Sequence, residues 1–240
     1  MQSTNIRHIF SLHRYKVVLL VLPLLMLAYQ GHAQRNYLEY INKKLYFGIT
    51  MGYHMSNYKL VHDKSFIYND TVNKIISTRG PGFTLGIVSN LKLGKYFDLR
   101  FLPGLTFADK KLRYTFADGE EVVKTIESIS VEFPLDIRFK SMPIGDMKFY
   151  VLAGLKYGID LASNAKSRRA EDQVKVLRSD LSYEYGLGLQ FFFPLFIFSP
   201  EVKFSNGFLD LHARDKNLIY SSTVDKLFSR SIVFSLHFEG

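Results

Sequence analysis

The chain has 240 residues, of which 47% are hydrophobic and 22% charged, so it is long enough for one or two folded domains and too apolar for a disordered segment. It contains no cysteine, which excludes disulfides, thiolate metal sites, cysteine nucleophiles and lipid attachment through an N-terminal cysteine. Phe and Tyr number 21 and 15 while Trp is absent, and this aromatic content favours a β architecture or a membrane interface.

The first 33 residues have the order of a secretory signal. Basic residues come first, an apolar run follows and small residues end the segment, in the order Arg7, Arg14, Lys16, residues 17–28, Gly31 and Ala33. We expect cleavage between Ala33 and Gln34. The alternative is a retained anchor helix, but the run is shorter than the roughly 20 residues that a spanning helix needs, and it contains Pro23.

The formal net charge of +9 falls by three on cleavage, because the removed segment holds three basic and no acidic side chains. The remaining mild basicity in a secreted protein favours contact with anionic lipid headgroups or polysaccharide over nucleic acid.

After residue 44 the chain repeatedly alternates apolar and polar side chains, which predicts extended strands with two unlike faces. The clearest example is SISVEFPLDIRFK, residues 128–140. The pattern recurs over residues 45–55, 83–93, 97–105, 149–161, 181–191, 198–205 and 231–238. The count is about eight strands, the smallest even-numbered transmembrane barrel. Ten strands remain an alternative, because residues 112–116 and 122–126 either extend the strands beyond the membrane or form an extra hairpin.

The connections alternate in length. Short turns fall near Gly94, Pro143 and Pro194, while long polar connections cover residues 60–79, 108–124, 163–178 and 206–226. Outer-membrane barrels have tight periplasmic turns and long external loops. The sequence therefore predicts an all-β, transmembrane, antiparallel up-and-down β-barrel over residues 45–240, after a signal peptide (1–33) and a periplasmic lead-in (34–44).

A soluble barrel of the lipocalin type would turn its apolar residues inward and its charges to water. Against this alternative, many glycines alternate in phase with the polar residues: Gly48, Gly52, Gly86, Gly104, Gly154, Gly158, Gly186 and Gly188. A narrow interior needs small residues beside long side chains, whereas glycine on an exposed strand face costs stability without a packing gain.

We therefore expect the charged face to fill the lumen and the apolar face to contact lipid. The predicted lumen charge network is Asp98, Arg100, Glu132, Asp136, Arg138, Lys140, Lys156, Asp160, Glu184, Glu201 and Lys203. The predicted lipid-facing residues are Phe47, Ile49, Met51, Phe83, Leu85, Phe101, Phe133, Leu135, Ile137, Leu155, Tyr157, Leu187, Phe204, Phe234, Leu236 and Phe238. The lumen set has both signs in near balance, as mutual neutralisation of buried ions requires.

No motif indicates chemistry at a cofactor or metal. Four histidines, at positions 54, 62, 212 and 237, lie on separate segments without metal-ligand spacing. No Gly-x-Ser-x-Gly elbow is present. A loop cluster of Lys166, Arg168 and Arg169 suits lipid A phosphates, although charge in a loop is more often simply solvated. We expect no cofactor, no metal and no catalytic residues.

The segment GFTLGIVSNLKLGKYFDLRFLPGLTF, residues 82–107, resembles the PorT family of Bacteroidota outer-membrane proteins. Residues 126–135 (IESISVEFPL), 152–162 (LAGLKYGIDLA) and 199–204 (SPEVKF) extend the resemblance over most of the mature chain. The resemblance implies an integral outer-membrane barrel that the type IX secretion system requires. That system exports folded cargo bearing a C-terminal signal and supports gliding motility in some species. The resemblance implies no catalytic motif.

The leading hypothesis is a non-enzymatic accessory barrel of type IX protein secretion that contacts other secretion components through loops or periplasmic turns. Its expected partners are outer-membrane lipid, lipopolysaccharide and those secretion components, with no nucleic acid. Two alternatives stay open: a general surface barrel that binds lipopolysaccharide or host ligands, and a membrane-embedded lipid hydrolase.

Overall fold

The computed structural model describes Tyr40 and residues 43–62, 72–116, 119, 121–162, 176–212 and 224–240. These residues belong to one compact unit, Asn36–Gly240. The predicted cleavage site at Ala33 and Gln34 and most of the predicted lead-in lie outside the described residues. Within the described part, no helix has the length and apolar character needed to cross a membrane.

In the described part of the chain, nine β-strands form a single antiparallel sheet. They are β1 (Leu45–His62), β2 (Val72–Lys92), β3 (Phe97–Phe101), β4 (Gly104–Phe116), β5 (Glu121–Lys140), β6 (Met147–Asp160), β7 (Ser179–Phe192), β8 (Ile197–Gly207) and β9 (Val224–Glu239). Strands adjacent in the chain pair with each other, except β3 and β4, and β9 pairs with β1 to close the ring. This confirms the predicted all-β, up-and-down barrel.

Strands β3 and β4 are two halves of one strand of the wall, since both pair with β2 on one side and with β5 on the other. The ring therefore has eight wall strands. The break falls at Leu102 and Pro103, where proline has no N–H to give to a ladder. Backbone hydrogen bonds still connect the break to both neighbouring strands. Leu102 N donates to Pro134 O at 3.0 Å, and Ile87 N donates to Pro103 O at 2.9 Å.

The outer face carries an apolar belt. The sixteen residues predicted to face lipid all lie at outward positions. Fourteen of them are exposed, with Ile49 at 57% and Leu187 at 60%. The other two, Phe133 and Phe238, are half-buried against neighbouring aromatic rings. Aromatic rings mark both borders of the belt, with Phe97, Phe139, Phe198 and Phe238 toward the short turns and Tyr53, Tyr157, Tyr183 and Tyr185 toward the long connections. Aromatic girdles at two levels are typical of outer-membrane barrels.

The strands continue beyond this belt, which corrects the predicted loops. Much of the predicted loops over residues 60–79 and 108–124 is strand, because β2 begins at residue 72 and β4 and β5 form one long hairpin. Residues 112–116 and 122–126 thus extend the wall and add no ninth and tenth strands. The predicted loops over 163–178 and 206–226 lie largely outside the described residues.

The strand extensions were missed because their polarity is inverted relative to the belt. Above the belt, the inward side chains of Ile75, Leu112 and Tyr114 are buried, while the outward Lys74 and Arg113 are exposed. Water surrounds the wall at this height, so charges face outward and the interior becomes apolar.

Glycine lets the interior charges approach the wall closely. Gly154 on β6 lies opposite both Asp136 and Glu184. A Cβ at Gly154 would collide with Asp136 Oδ1 and the backbone oxygen of Leu135, and would lie 2.7 Å from Asp136 Cα. Gly158, on the same strand and face, has no such neighbour, since its Cβ would meet nothing nearer than 4.0 Å.

We predict that Gly154→Ala lowers the free energy of unfolding by about 1–3 kcal/mol through overpacking, while the matched control Gly158→Ala changes it by less than about 0.5 kcal/mol. The measurement is the urea midpoint in lipid vesicles, with the folded fraction read from heat-dependent gel mobility. Equal midpoints for the two variants would show that close approach at Gly154 does not constrain the fold.

Candidate functional site: a charged lumen sealed at both ends

The end of the lumen near the short turns is organised around Asp98 of β3. Asp98 lies directly opposite Arg138 of β5 in the strand register. Its carboxylate accepts hydrogen bonds from Arg138 Nη2 at 2.9 Å, Lys140 Nζ at 2.6 Å and Asn90 Nδ2 at 3.1 Å. Asp98, Asn90 and Arg138 are fully buried. Charge-assisted hydrogen bonds of this kind offset the free-energy cost of removing an ion from water.

Arg100 links this group to the last two strands. Its guanidinium binds Glu239 of β9 and lies 3.7 Å from Glu201 of β8. Glu201 also accepts a hydrogen bond from the Tyr150 hydroxyl at 2.9 Å, and His237 Nε2 lies 3.5 Å from the same carboxylate. Side chains from β3, β6, β8 and β9 therefore meet at one point of the lumen.

The middle of the lumen contains two lysines shared among three carboxylates. Lys203 Nζ lies 3.2 Å from Asp136 and 2.9 Å from Glu184. Lys156 Nζ lies 3.4 Å from Glu184 and 3.1 Å from Glu132. None of these five side chains is more than 15% exposed. Glu184 bridges the two lysines, so the pairs form one connected network.

The structure places all eleven residues of the sequence-derived lumen set on the inner face. Ten of them take part in ion pairs, and Asp160 accepts a hydrogen bond from Ser128 Oγ at 2.7 Å. Sequence reasoning missed Glu239, and it did not assign Tyr46, Asn90 or Tyr150 to the network. A signal for Glu239 existed, because it is the next inward position after His237 in the alternation of β9.

An apolar cluster, here called the outer cap, fills the lumen at the end of the long connections. It consists of Tyr58, Ile75, Leu112, Tyr114, Val176, Leu211 and Leu227, with Leu60 and Ile126 packed against it. Val176 and Leu211 come from the segments between strands, and backbone bonds tie those segments to each other and to β9: Leu177 N to Leu211 O and Leu211 N to Leu227 O, both 2.8 Å. Val176 and Leu211 thus lie across the opening.

A second cluster, the inner cap, lies at the opposite opening. It consists of Tyr40, Tyr46, Phe192 and Ile197. Tyr40 belongs to the segment before β1, and its ring centroid lies 5.9 Å from that of Phe192. The Tyr40 hydroxyl donates to Phe193 O at 3.3 Å, and its carbonyl accepts a hydrogen bond from Lys92 Nζ. Tyr40, which precedes the barrel, therefore covers part of its short-turn end.

The cavities that described side chains line inside the barrel are small. Three that are lined by interior side chains have volumes of about 30 to 40 Å³ each, room for only a few water molecules. One is lined by His54, Glu132, Lys203 and Ser235 among others, and Thr84 Oγ1 lies 2.5 Å from His54 Nε2. Within the described residues the lumen is a packed core, as expected for a ring of eight strands.

Other sequence-derived candidates lie elsewhere. The loop cluster of Lys166, Arg168 and Arg169 falls outside the described residues. The part of the chain that the structure describes contains no group of three side chains placed to hold a metal ion.

A comparison with models of protein families identifies an outer-membrane barrel domain. Residues 29–213 match the family model described as outer membrane protein beta-barrel domain. No curated protein sequence matches the chain.

Among solved structures, the chain is similar to the attachment invasion locus protein Ail of Yersinia pestis in complex with the heparin analogue sucrose octasulfate (16% identity, 82% of this chain and 100% of that chain, TM-score 0.40). It is also similar to Neisserial surface protein A (9% identity, 81% and 96%, TM-score 0.42) and to OprG of Pseudomonas aeruginosa (12% identity, 81% and 93%, TM-score 0.45). With 185 of its 240 residues matched by the family model, this chain belongs to the outer-membrane β-barrel domain family and is a protein of the outer membrane.

Proposed function

We propose that this protein is a non-enzymatic accessory barrel of type IX protein secretion and a member of the PorT family of Bacteroidota. The resemblance to that family supports the assignment, and it covers β3 and parts of five further strands. The observation that best supports an accessory role is that the lumen is packed and capped at both ends. Folded cargo is far wider than cavities of about 30 to 40 Å³, so the barrel acts through the surfaces at its two ends.

The network of ion pairs makes the barrel a rigid platform for those surfaces. Glu184, Lys203 and Arg100 connect side chains from separate strands, so displacement of one strand breaks several buried pairs. A buried ion that loses its partner costs about 3–5 kcal/mol. Loops and turns attached to such a wall keep a fixed spacing, which suits a component that positions other proteins.

A second candidate, a surface barrel that binds lipopolysaccharide, is favoured by one observation. Lys59, Lys226 and Arg230 are exposed on the outer faces of β1 and β9 just above the apolar belt. The strand register sets Arg230 opposite Asn57 and Lys226 opposite Val61, so the three cations are near neighbours. Phosphates of outer-leaflet lipids reach this height. Pulldown in mild detergent separates the candidates, because only the first expects secretion components to co-purify.

The lipid hydrolase alternative finds little support in the geometry. Ser199 lies opposite His237 in the register of β8 and β9, and His237 lies beside Glu201. All three side chains are at most 3% exposed and point into the lumen network. Their burial keeps the Ser199 hydroxyl away from lipid. Turnover of lipid A or phospholipid by the purified protein is the assay that would favour this alternative.

We predict that the purified protein gives no steady conductance in planar lipid bilayers, since both caps and the ion-pair network block the axis. The comparison is an open porin reconstituted at the same protein-to-lipid ratio. Stable conductance steps from the unaltered protein would contradict a role confined to the barrel ends and would favour a channel.

We predict that a deletion strain retains cargo proteins bearing the C-terminal secretion signal inside the cell, and that the intact gene on a plasmid restores their export. The measurement is the fraction of such cargo in the medium and on the cell surface, by quantitative immunoblotting. A lipoprotein exported by another route serves as the control. Normal export of C-terminal-signal cargo by the deletion strain would refute the type IX assignment.

A further inference from the structure

Lysines are concentrated at the short-turn end of the barrel, which lies on the periplasmic side in outer-membrane barrels. This group, here called the basic mouth, consists of Lys43, Lys44, Lys92, Lys95, Lys140 and Lys148. They come from the segment before β1, the end of β2, the β2–β3 turn, the end of β5 and the start of β6. Six cations from five separate pieces of chain thus converge on one opening.

Three of these lysines line the opening itself. Lys140 Nζ binds Asp98 at 2.6 Å, and Lys148 Nζ lies 5.8 Å from the centroid of the Phe192 ring. Lys92 Nζ donates to the Tyr40 carbonyl and lies 5.5 Å from the centroid of the Tyr46 ring. Lys92 and Lys148 thus lie over rings of the inner cap, and Lys140 and Lys148 are buried there while Lys92 is half-buried.

The other three lysines form an exposed outer ring. Lys43, Lys44 and Lys95 are exposed. Lys43 Nζ lies 5.2 Å from the centroid of the Tyr40 ring, and Lys95 Nζ lies 5.4 Å from that of Tyr96. These aromatic contacts keep the two charges at the mouth without neutralising them.

Carboxylates at this end do not balance the lysines. Among the described residues, those nearest the mouth are Asp98, Asp146 and Glu239. Asp98 is shared with Arg138, and Glu239 is engaged by Arg100. The mouth therefore keeps an excess of positive charge, whereas the middle of the lumen pairs two lysines with three carboxylates.

We propose that the basic mouth is the docking surface for an acidic segment of a periplasmic protein. Lipid headgroups surround the outer wall of a barrel, whereas Lys92, Lys140 and Lys148 are grouped around its axis beside the inner cap. An anionic group that approaches from the periplasm along the axis meets the exposed Lys43, Lys44 and Lys95, which a headgroup held in the leaflet does not. Lys92 is half-buried, and Lys140 and Lys148 are buried, so these three add positive potential at the opening. The inference deepens the proposed function, because it assigns the periplasmic end as the contact to a secretion component.

Apolar side chains on the neighbouring turns complete the surface. Leu93, Met142, Ile144 and Leu195 project from the three short turns, and Leu195 is 88% exposed. An interface needs apolar contact area for affinity, while complementary charge supplies steering and specificity. The partner segment that fits is therefore acidic with interspersed apolar residues.

The test uses the full-length protein purified in nanodiscs of zwitterionic lipid. The probe is a short fluorescent peptide rich in Asp and Glu with interspersed Leu, and its amide counterpart carries Asn and Gln in their place. We expect the acidic peptide to bind, by fluorescence anisotropy, and the amide peptide not to. The triple substitution Lys43→Gln, Lys44→Gln and Lys95→Gln is expected to weaken binding about tenfold, from three exposed charge contacts.

The matched control removes three exposed lysines from the opposite end, Lys59→Gln, Lys74→Gln and Lys226→Gln. It makes the same change in net charge, so we expect less than about a twofold effect, because these charges lie beyond the screening length from the mouth. All six substituted lysines are exposed and outside the lumen network, so folding is retained and is checked by heat-dependent gel mobility.

Three results would overturn the proposal: no binding by the unaltered protein, equal weakening in both triple variants, or displacement of the peptide by short-chain phosphatidylglycerol at lower concentration than by unlabelled acidic peptide. The last would assign the mouth to lipid. Peptide binding is measured without any secretion assay, so normal export in the deletion strain would refute the type IX assignment while leaving the docking surface standing.

Discussion

Confinement of charge in a narrow lumen is the constraint on which this structure depends. A ring of eight strands leaves space for side chains but not for bulk water, so each ion inside needs a partner within reach. The strand register supplies one such partner directly, since Asp98 faces Arg138, whereas Arg100 reaches Glu239 on a strand that is not its neighbour. A slip of one residue in either strand would turn the ions of that strand toward lipid. The charges therefore select the register as much as the apolar belt does.

The same constraint explains what the sequence predicts well. Alternation with a period of two is strong in the belt, because lipid demands apolar side chains outside and the packed lumen tolerates polar ones inside. Residues such as Phe133 and Asp136 could therefore be assigned to opposite faces, and the charged positions of the interior could be named. Which ions pair could not be predicted, since the pairing depends on stagger between strands that are distant in sequence, such as β3 and β9 for Arg100 and Glu239.

Above the belt the wall is surrounded by water instead of lipid, and the sequence pattern does not predict the strands there. Along β4 the inward residues are polar at Thr106 and apolar at Leu112 and Tyr114, although the wall is continuous. A search for strands with one fixed polarity takes this switch for a loop. Contacts of the outer cap were also beyond prediction, since Val176 and Leu211 belong to connections without periodicity and enter the lumen only through tertiary packing. The inner cap depends in a similar way on Tyr40, a residue outside every strand.

Because both ends of the lumen are capped, we expect function at the two ends of the barrel. The lumen and the periplasmic end differ in how they accommodate charge. In the lumen, desolvation forces neutrality, so the charges there are explained by packing alone. At the periplasmic rim no such rule applies, because water solvates Lys43, Lys44 and Lys95 whether or not they have partners. Stability does not require these three exposed lysines beside the buried Lys140 and Lys148, and the mutual repulsion of the five opposes the arrangement. Since an anion that docks there relieves the repulsion, the concentration of lysines is better explained by recognition than by folding.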